Sequence, residues 1–485
     1  MTPFTKHGVP YRLHQDAWWL AADTQSGVGT ATPQEPRKPL VLGLIAAVVL
    51  ADLMLWQAHA GLGFVILILA LAGLVQWMSP LRANIVPWVI LLASIIPAID
   101  LVQTLSVGLA LLGLSTFALM TIGADQQKLP RAMLRLPIAA IASNIEGMAS
   151  IFHSRPAMPD KGQFLRDWLM PLSLGAMFFC LMILANPVVE NLIANALAMK
   201  GFDVDVGRVT FWVIALLAVW PLLRLQQQTK MLFAHAHAYP SRSGVLMNPR
   251  SLARALILFN ALFALQTIMD FTYLLGGVAL PDGMTYATYA HRGAYPLLAT
   301  ALLAGGFAIV AQPMLGAGSA LRWLLLVWVG QTVLLVATSI LRLDLYVSAY
   351  GLTVFRVAAF TWMGLVAIGL CLLMWQVVKR HPISWLMLRA GALGLGVLYV
   401  ASLINISGLV AHHNLNRTVG TLDTYYLCNM GQGASPAIIA YNQMNPAPIC
   451  TFRDNSITPP QDLREWGYRQ HRLRSNVATM METAQ

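Results

Sequence analysis

Asp52, Asp270 and Arg356 are ionisable side chains set inside long apolar runs. A charge at the centre of a membrane helix costs about 2.5 to 3.5 kcal/mol on insertion scales, so such groups face a bundle interior or a cavity and need partners. Asp52 and Asp270 each lie five residues before the end of their run, and Arg356 lies about seven residues into its own. At 1.5 Å per residue, and with the threading given below, all three sit roughly 7 to 11 Å inside one boundary. Opposite charges at a common depth predict that Arg356 pairs with Asp270 or Asp52.

The connections beside these runs are polar and aromatic. After Asp270 comes "FTYLLGGVALPDGMTYATYAHRG", with Tyr286, Tyr289, His291 and Arg292. "LRLDLYVSAYGLTVFR" carries Arg342, Asp344, Tyr346, Tyr350 and Arg356, and "NISGLVAHHNLNRTVGTLDTYYL" carries Asn405, His412, Asn414, Arg417 and Asp423. Tyrosine belts and snorkelling arginines mark any membrane interface, so each segment alone reads as boundary. Their convergence on one face with the buried charges predicts an outward-facing cleft. Arginine and aromatic faces suit an anionic head group or a sugar. His291, His412 or Asp423 are the candidates for acid–base work. No P-loop, HExxH, GxSxG with partners or metal-spaced Cys/His set occurs, so no metal or cofactor is expected.

The elements that must position these residues follow from composition. Of 485 residues, 57% are hydrophobic and 11% charged, against about 25% charged in soluble domains. Apolar runs near 39–57, 61–78, 85–99, 102–121, 168–187, 209–226, 253–275, 293–312, 319–341, 349–376 and 384–405 read as about eleven spans, an all-α polytopic bundle. "PAID", Pro97 to Asp100, is all that divides the third from the fourth. The net charge of +11 reflects the cytoplasmic Lys/Arg bias of membrane proteins rather than a nucleic-acid partner. With the N-terminus inside, twenty Lys and Arg fall in inner loops and four (Lys200, Arg208, Arg292, Arg342) in outer ones. The tail is then outside.

This threading predicts a cytoplasmic segment 1–38, membrane helices over 39–121, a cytoplasmic segment 122–167, a main membrane domain 168–411 and a periplasmic tail 412–485. The first span is expected to be an uncleaved anchor. Segment 122–167 is basic and half-apolar, either an interfacial helix or an ordered loop under the bundle. His235 and His237 fit neither one helix face nor a zinc pattern and read as a solvated loop. Cys180 and Cys371 read as apolar packing residues within spans. Cys428 and Cys450 in the tail are the candidate disulfide, consistent with an oxidising compartment.

The same segments resemble a bacterial polytopic inner-membrane family catalogued as a domain of unknown function, 4173 or 4153-like. One block is the Asp270 span end, Gly276-Gly277, Leu280-Pro281-x-Gly283-x-Thr285 and Tyr289-Ala290-x-x-Gly293. A second is Arg342, Tyr346, Tyr350-Gly351-Leu352-Thr353 and Arg356. A third is Asn405, Val410-Ala411, Asn414-Leu415, Arg417, Leu422-Asp423 and Tyr426-Leu427. The likeness covers roughly residues 168–437, including "ANPVVE" at the end of the fifth span. The family often has an acid before the Pro that follows the third block, where this chain has Ser435-Pro436. The resemblance implies a multi-pass inner-membrane protein and supplies no activity.

Three functions are then expected. One is a transporter or binding protein for an envelope-related amphipathic or anionic ligand, with a lipid or glycan head group as partner in the bilayer. The second is an envelope-facing transferase or hydrolase. The third is a sensor or assembly scaffold.

Overall fold

The computed structural model describes residues 38–79, 85–125, 128–153, 205–233, 249–272, 299–309, 311, 319–417, 422–450 and 459–482. The expected fifth span, 168–187, together with His235, His237, Tyr286, Tyr289, His291 and Arg292, lies outside these residues. The described residues are helical, with no strand. The chain splits into two compact units, Met1–Gln57, Leu67–Trp88 and Leu114–Ala234 forming one, and Ala58–Ile66, Val89–Gly113 and His235–Gln485 the other.

In chain order the helices are α1 (Lys38–Leu55), α2 (Leu62–Met78), α3 (Ile85–Asp100), α4 (Thr104–Thr121), α5 (Leu129–His153), α6 (Val206–Leu223) and α7 (Pro249–Asp270). They continue with α8 (Ala299–Ile309), α9 (Ser319–Tyr350), α10 (Val354–Lys379), α11 (Ile383–Leu403), α12 (Ile406–Leu415), α13 (Thr424–Cys428), α14 (Ser435–Met444) and α15 (Tyr468–Glu482). Six of them, α4, α6, α7, α9, α10 and α11, are long and apolar enough to cross a membrane, and α1, α2, α3 and α8 are shorter apolar helices. The molecule is a multi-helix membrane protein. Residues 85–121 form two helices rather than one, because the Leu101–Gln103 break turns the chain and the Ser106 hydroxyl stitches it, donating to the carbonyl of Leu101 and accepting from the Gln103 amide (2.7 and 2.8 Å).

In the first unit, α1 packs on α6, with Trp56 against Phe211 at 5.5 Å between ring centroids. Asp205 caps α6 by accepting from the Arg208 amide, so the helix begins at Val206, three residues before the apolar run alone suggests. In the second unit, α7, α9 and α10 share one core. Trp328 sits at its centre, stacked on Phe259 and met edge-on by Phe263 and Phe307.

Two sequence expectations fail in this core. The ninth span does not stop at 341: α9 runs 32 residues to Tyr350, about 48 Å, beyond the ~30 Å of hydrocarbon. Nothing from Leu341 to Tyr350 breaks a helix. Gly351 does, at φ +82°, with its amide donating back to Val347 O at 2.8 Å. Cys371 is exposed on α10 rather than packed inside, no described residue covering its face of the helix.

The tail is folded. α12 already straddles the expected boundary at 412, and Ala411, Leu427, Ala434 and Ile438 form a small core. Cys428 and Cys450 are disulfide-bonded, their Cα atoms 5.8 Å apart. Closing a loop of this length contributes about 3 kcal/mol by limiting the unfolded chain, a large share for so small a core.

Candidate functional site

Three polar assemblies occupy the second unit. The first is buried between α7 and α9. Asp270, fully buried, accepts from Arg342 and from Gln266 Nε2 (2.7 Å) at Oδ1, and from the Thr338 hydroxyl (2.6 Å) at Oδ2. Gln266 and Thr338 lie four residues before Asp270 and Arg342, on the same helix faces. That spacing was the readable signal for this cluster. The expected Arg356–Asp270 pair does not form. Once α9 continues past residue 341, Arg342 falls inside the bundle at the depth assigned to Arg356. The alternative, Arg356 with Asp52, fails as well: in the first unit Asp52 is held by Arg208 (Nε 3.0 Å, Nη2 2.5 Å) and by the Trp212 indole N–H (2.9 Å).

The second assembly is a clasp around the α9–α10 turn. Arg356 donates to the carbonyls of Tyr350 (3.1 Å) and Gly351, with its guanidinium over the Tyr346 ring at 4.3 Å. Asn414 bonds both ways to Leu352, accepting from its amide (2.7 Å) and donating to its carbonyl (2.8 Å). Arg417 donates to Ser348 O (2.5 Å), and Tyr426 accepts from the Val354 amide (3.0 Å). A Cβ on Gly351 would stand 2.8 Å from Arg417 Nη1. The second and third sequence blocks are thus two halves of one contact. Tyr346 also packs on Tyr350 at 5.1 Å. Asp344 is exposed on α9. Asp423 caps α13 by accepting from the Tyr426 amide, and His412 faces Asn416.

The third assembly lines a cavity of about 430 Å³ at the ends of α3, α4, α10 and α11, closed by the tail. Asn405 Oδ1 caps α12 through the Gly408 amide, and its Nδ2 donates to Gly433 O at 2.8 Å. This ties the end of the last membrane helix to the tail. Arg469 of α15 donates Nε to Asp100 (2.8 Å), Nη2 to Asp100 and to Ser402 O (2.8 Å), and Nη1 to Ile404 O (3.3 Å). The guanidinium neutralises the carboxylate that ends α3 and satisfies carbonyls at the end of α11. Ser407, Gln432 and Gln470 also line the cavity, and their side chains hold no hydrogen bond among the described residues.

The tail closes on one more loop of this unit. Glu465 accepts from the backbone N–H of His59 (2.9 Å), from that of Gln461 (2.9 Å) and from the His59 ring (3.0 Å). These donors, the His59 amide foremost, hold its carboxyl below the usual range. Leu62 N–H donates to Trp466 O at 2.9 Å.

Of the residues singled out in the sequence, Tyr346, Tyr350, Arg356, Asn414 and Arg417 gather around the α9 end, Arg342 pairs with Asp270 inside the bundle, and none of them lines the cavity. Gln103, Ser407, Gln432, Arg469 and Gln470 were missed. Asp100 read only as punctuation between two spans, although a carboxylate at the end of an apolar run demands a cation as much as Asp270 does.

No curated protein and no solved structure matches the chain. The family described as Domain of unknown function (DUF4153) matches residues 40–441, which takes in the buried pair, the clasp and the Asn405 cap. The chain belongs to the DUF4153 family.

Proposed function

We propose that this protein is a binding protein of the transporter type in a bacterial inner membrane, receiving the hydroxyl-rich, uncharged head group of an envelope amphiphile in the cavity beside Arg469. One observation carries this reading: the cavity presents a hydroxyl and two carboxamides without protein partners among the described residues, Ser407, Gln432 and Gln470, next to a guanidinium already neutralised by Asp100. Carboxamides and hydroxyls both donate and accept, which matches sugar or polyol hydroxyls. The volume lies within the range of small-molecule sites. An anionic ligand is less well served, because the arginine that lines the cavity has its charge taken. Asp423 is spent on a helix cap and His412 faces Asn416, which gives the transferase reading little support here.

Native mass spectrometry of gently purified protein tests this. The expected result is a co-purifying adduct with a glycan or polyol fragment, lost in Gln432→Leu/Gln470→Leu while the melting temperature is kept. An adduct retained by that variant, or no adduct at all, contradicts the proposal.

A further inference from the structure

α5 is turned inside out for a helix in water. Its buried positions are Ala132, Ala139 and Ser143, small residues seven and four apart. Its exposed positions include Leu134 (81%), Ile138, Ile141 and Ile145, an apolar stripe at helical spacing. A soluble amphipathic helix places these two sets the other way round.

The helix on which α5 packs supplies a depth gauge. α6 has 18 residues and is about 27 Å long, close to the ~30 Å hydrocarbon thickness, so its ends mark the edges of the apolar slab. At its C-terminal end the Arg224 guanidinium lies over the Trp220 ring at 5.3 Å, an aromatic–cation anchor of the kind found at membrane interfaces. α5 joins α6 at this level. The Trp220 indole donates to Ser143 O and the Asn144 amide donates to Leu217 O, both at 3.1 Å. Trp220 and Leu217 lie three and six residues before Leu223, about 5 to 9 Å inside the end of α6. Val213, Ile214, Leu216 and Leu217 on α6 are themselves exposed, as lipid-facing residues of a spanning helix are. At the other end of α5, Lys128 and Arg131 are exposed, while Arg135 reaches the carbonyls of Met231 and Leu232.

We infer that α5 lies in the membrane interface, with Leu134, Ile138, Ile141 and Ile145 inserted among lipid acyl chains and Lys128 and Arg131 at head-group level. The exposed stripe continues the lipid-facing surface of α6. This surface is separate from the cavity, and its test does not depend on the cavity having a ligand.

Single nitroxide labels at 134, 138, 141 and 145 test it, in a Cys180→Ala/Cys371→Ala background that keeps the tail disulfide. The protein is reconstituted in phosphatidylethanolamine–phosphatidylglycerol vesicles, with labels at Ile214 and His471 as lipid and water references. The expected result is an oxygen-to-nickel collision ratio at all four positions well above that at His471 and no higher than that at mid-slab Ile214, with nickel-chelate collision several-fold below that at His471. Nickel collision matching His471 would place the stripe in water and overturn the inference. Low collision with both reagents would place protein over the stripe, a second copy or another part of this chain, and would overturn it equally.

Discussion

Asp52 and Asp270 both stand near the C-terminal end of an apolar helix, and both are met by an arginine and by further donors. Their surroundings differ. Asp270 and Arg342 are both buried, at 0% and 3% side-chain exposure, whereas the Arg208 that meets Asp52 is 45% exposed. Identical chemistry therefore carries different consequences. Removing one partner of a buried pair strands a charge and costs about 3 to 5 kcal/mol, while a pair open on one side is partly screened and contributes less. The first pair locks α7 to α9, and the second trims the contact of α1 with α6.

The contrast is sharpest in its largest effect. Asp270→Ala or Arg342→Ala is expected to lower stability by about 3 to 5 kcal/mol, read by denaturant or thermal unfolding in detergent. The apolar double variant Asp270→Leu/Arg342→Met should recover most of the loss. Next comes the tail: Cys428→Ser/Cys450→Ser should weaken it by about 3 kcal/mol. Limited proteolysis should then cut the tail first and leave the α7–α11 bundle intact. Gly351→Ala forces a left-handed backbone and a contact with Arg417, for an expected loss of about 1 to 3 kcal/mol, measured in the same unfolding assay. Asp52→Asn or Arg208→Ala should lower stability by clearly less than Asp270→Ala does. A loss there equal to that of Asp270→Ala would erase the distinction between the two pairs.

The smallest effect is one of pH. Glu465 is held below its ordinary value of 4.5 in the folded protein. Its contribution is complete above that value and is lost as the pH falls through the lower folded one. The hydrogen-exchange protection factors of residues 459–467, taken against the intrinsic rate at each pH, should fall on acidification below about pH 4.5, and Glu465→Gln should flatten that response.

The membrane character, the helical class, the tail disulfide and the family were legible, because hydropathy and motif spacing are local signals. The need of Asp52 and Asp270 for cations was legible too, from burial cost alone. Partner choice was not. It turned on where α9 ends: with a stop at 341, Arg342 reads as interface and Arg356 as buried, and with a stop at Gly351 the two exchange roles. The YGLT segment showed a glycine but not its left-handed φ. The cavity escaped because its lining comes from Gln103, Ser407, Gln432 and Gln470, uncharged residues far apart in sequence that no period or motif links. Arg469 was one of several tail arginines until α15 brought it to Asp100.

A division of labour follows, with charges neutralised in structural pairs and uncharged polar groups left facing the cavity. A double-mutant cycle tests that division most directly. Unfolding free energies are measured for Asp270→Ala, Arg342→Ala, Arg356→Ala and the two double variants that include Asp270→Ala. Strong coupling of Asp270 with Arg342 is expected, at least about 2 kcal/mol, and coupling with Arg356 within about 0.5 kcal/mol of zero. Strong coupling of Asp270 with Arg356, or none with Arg342, would contradict that division.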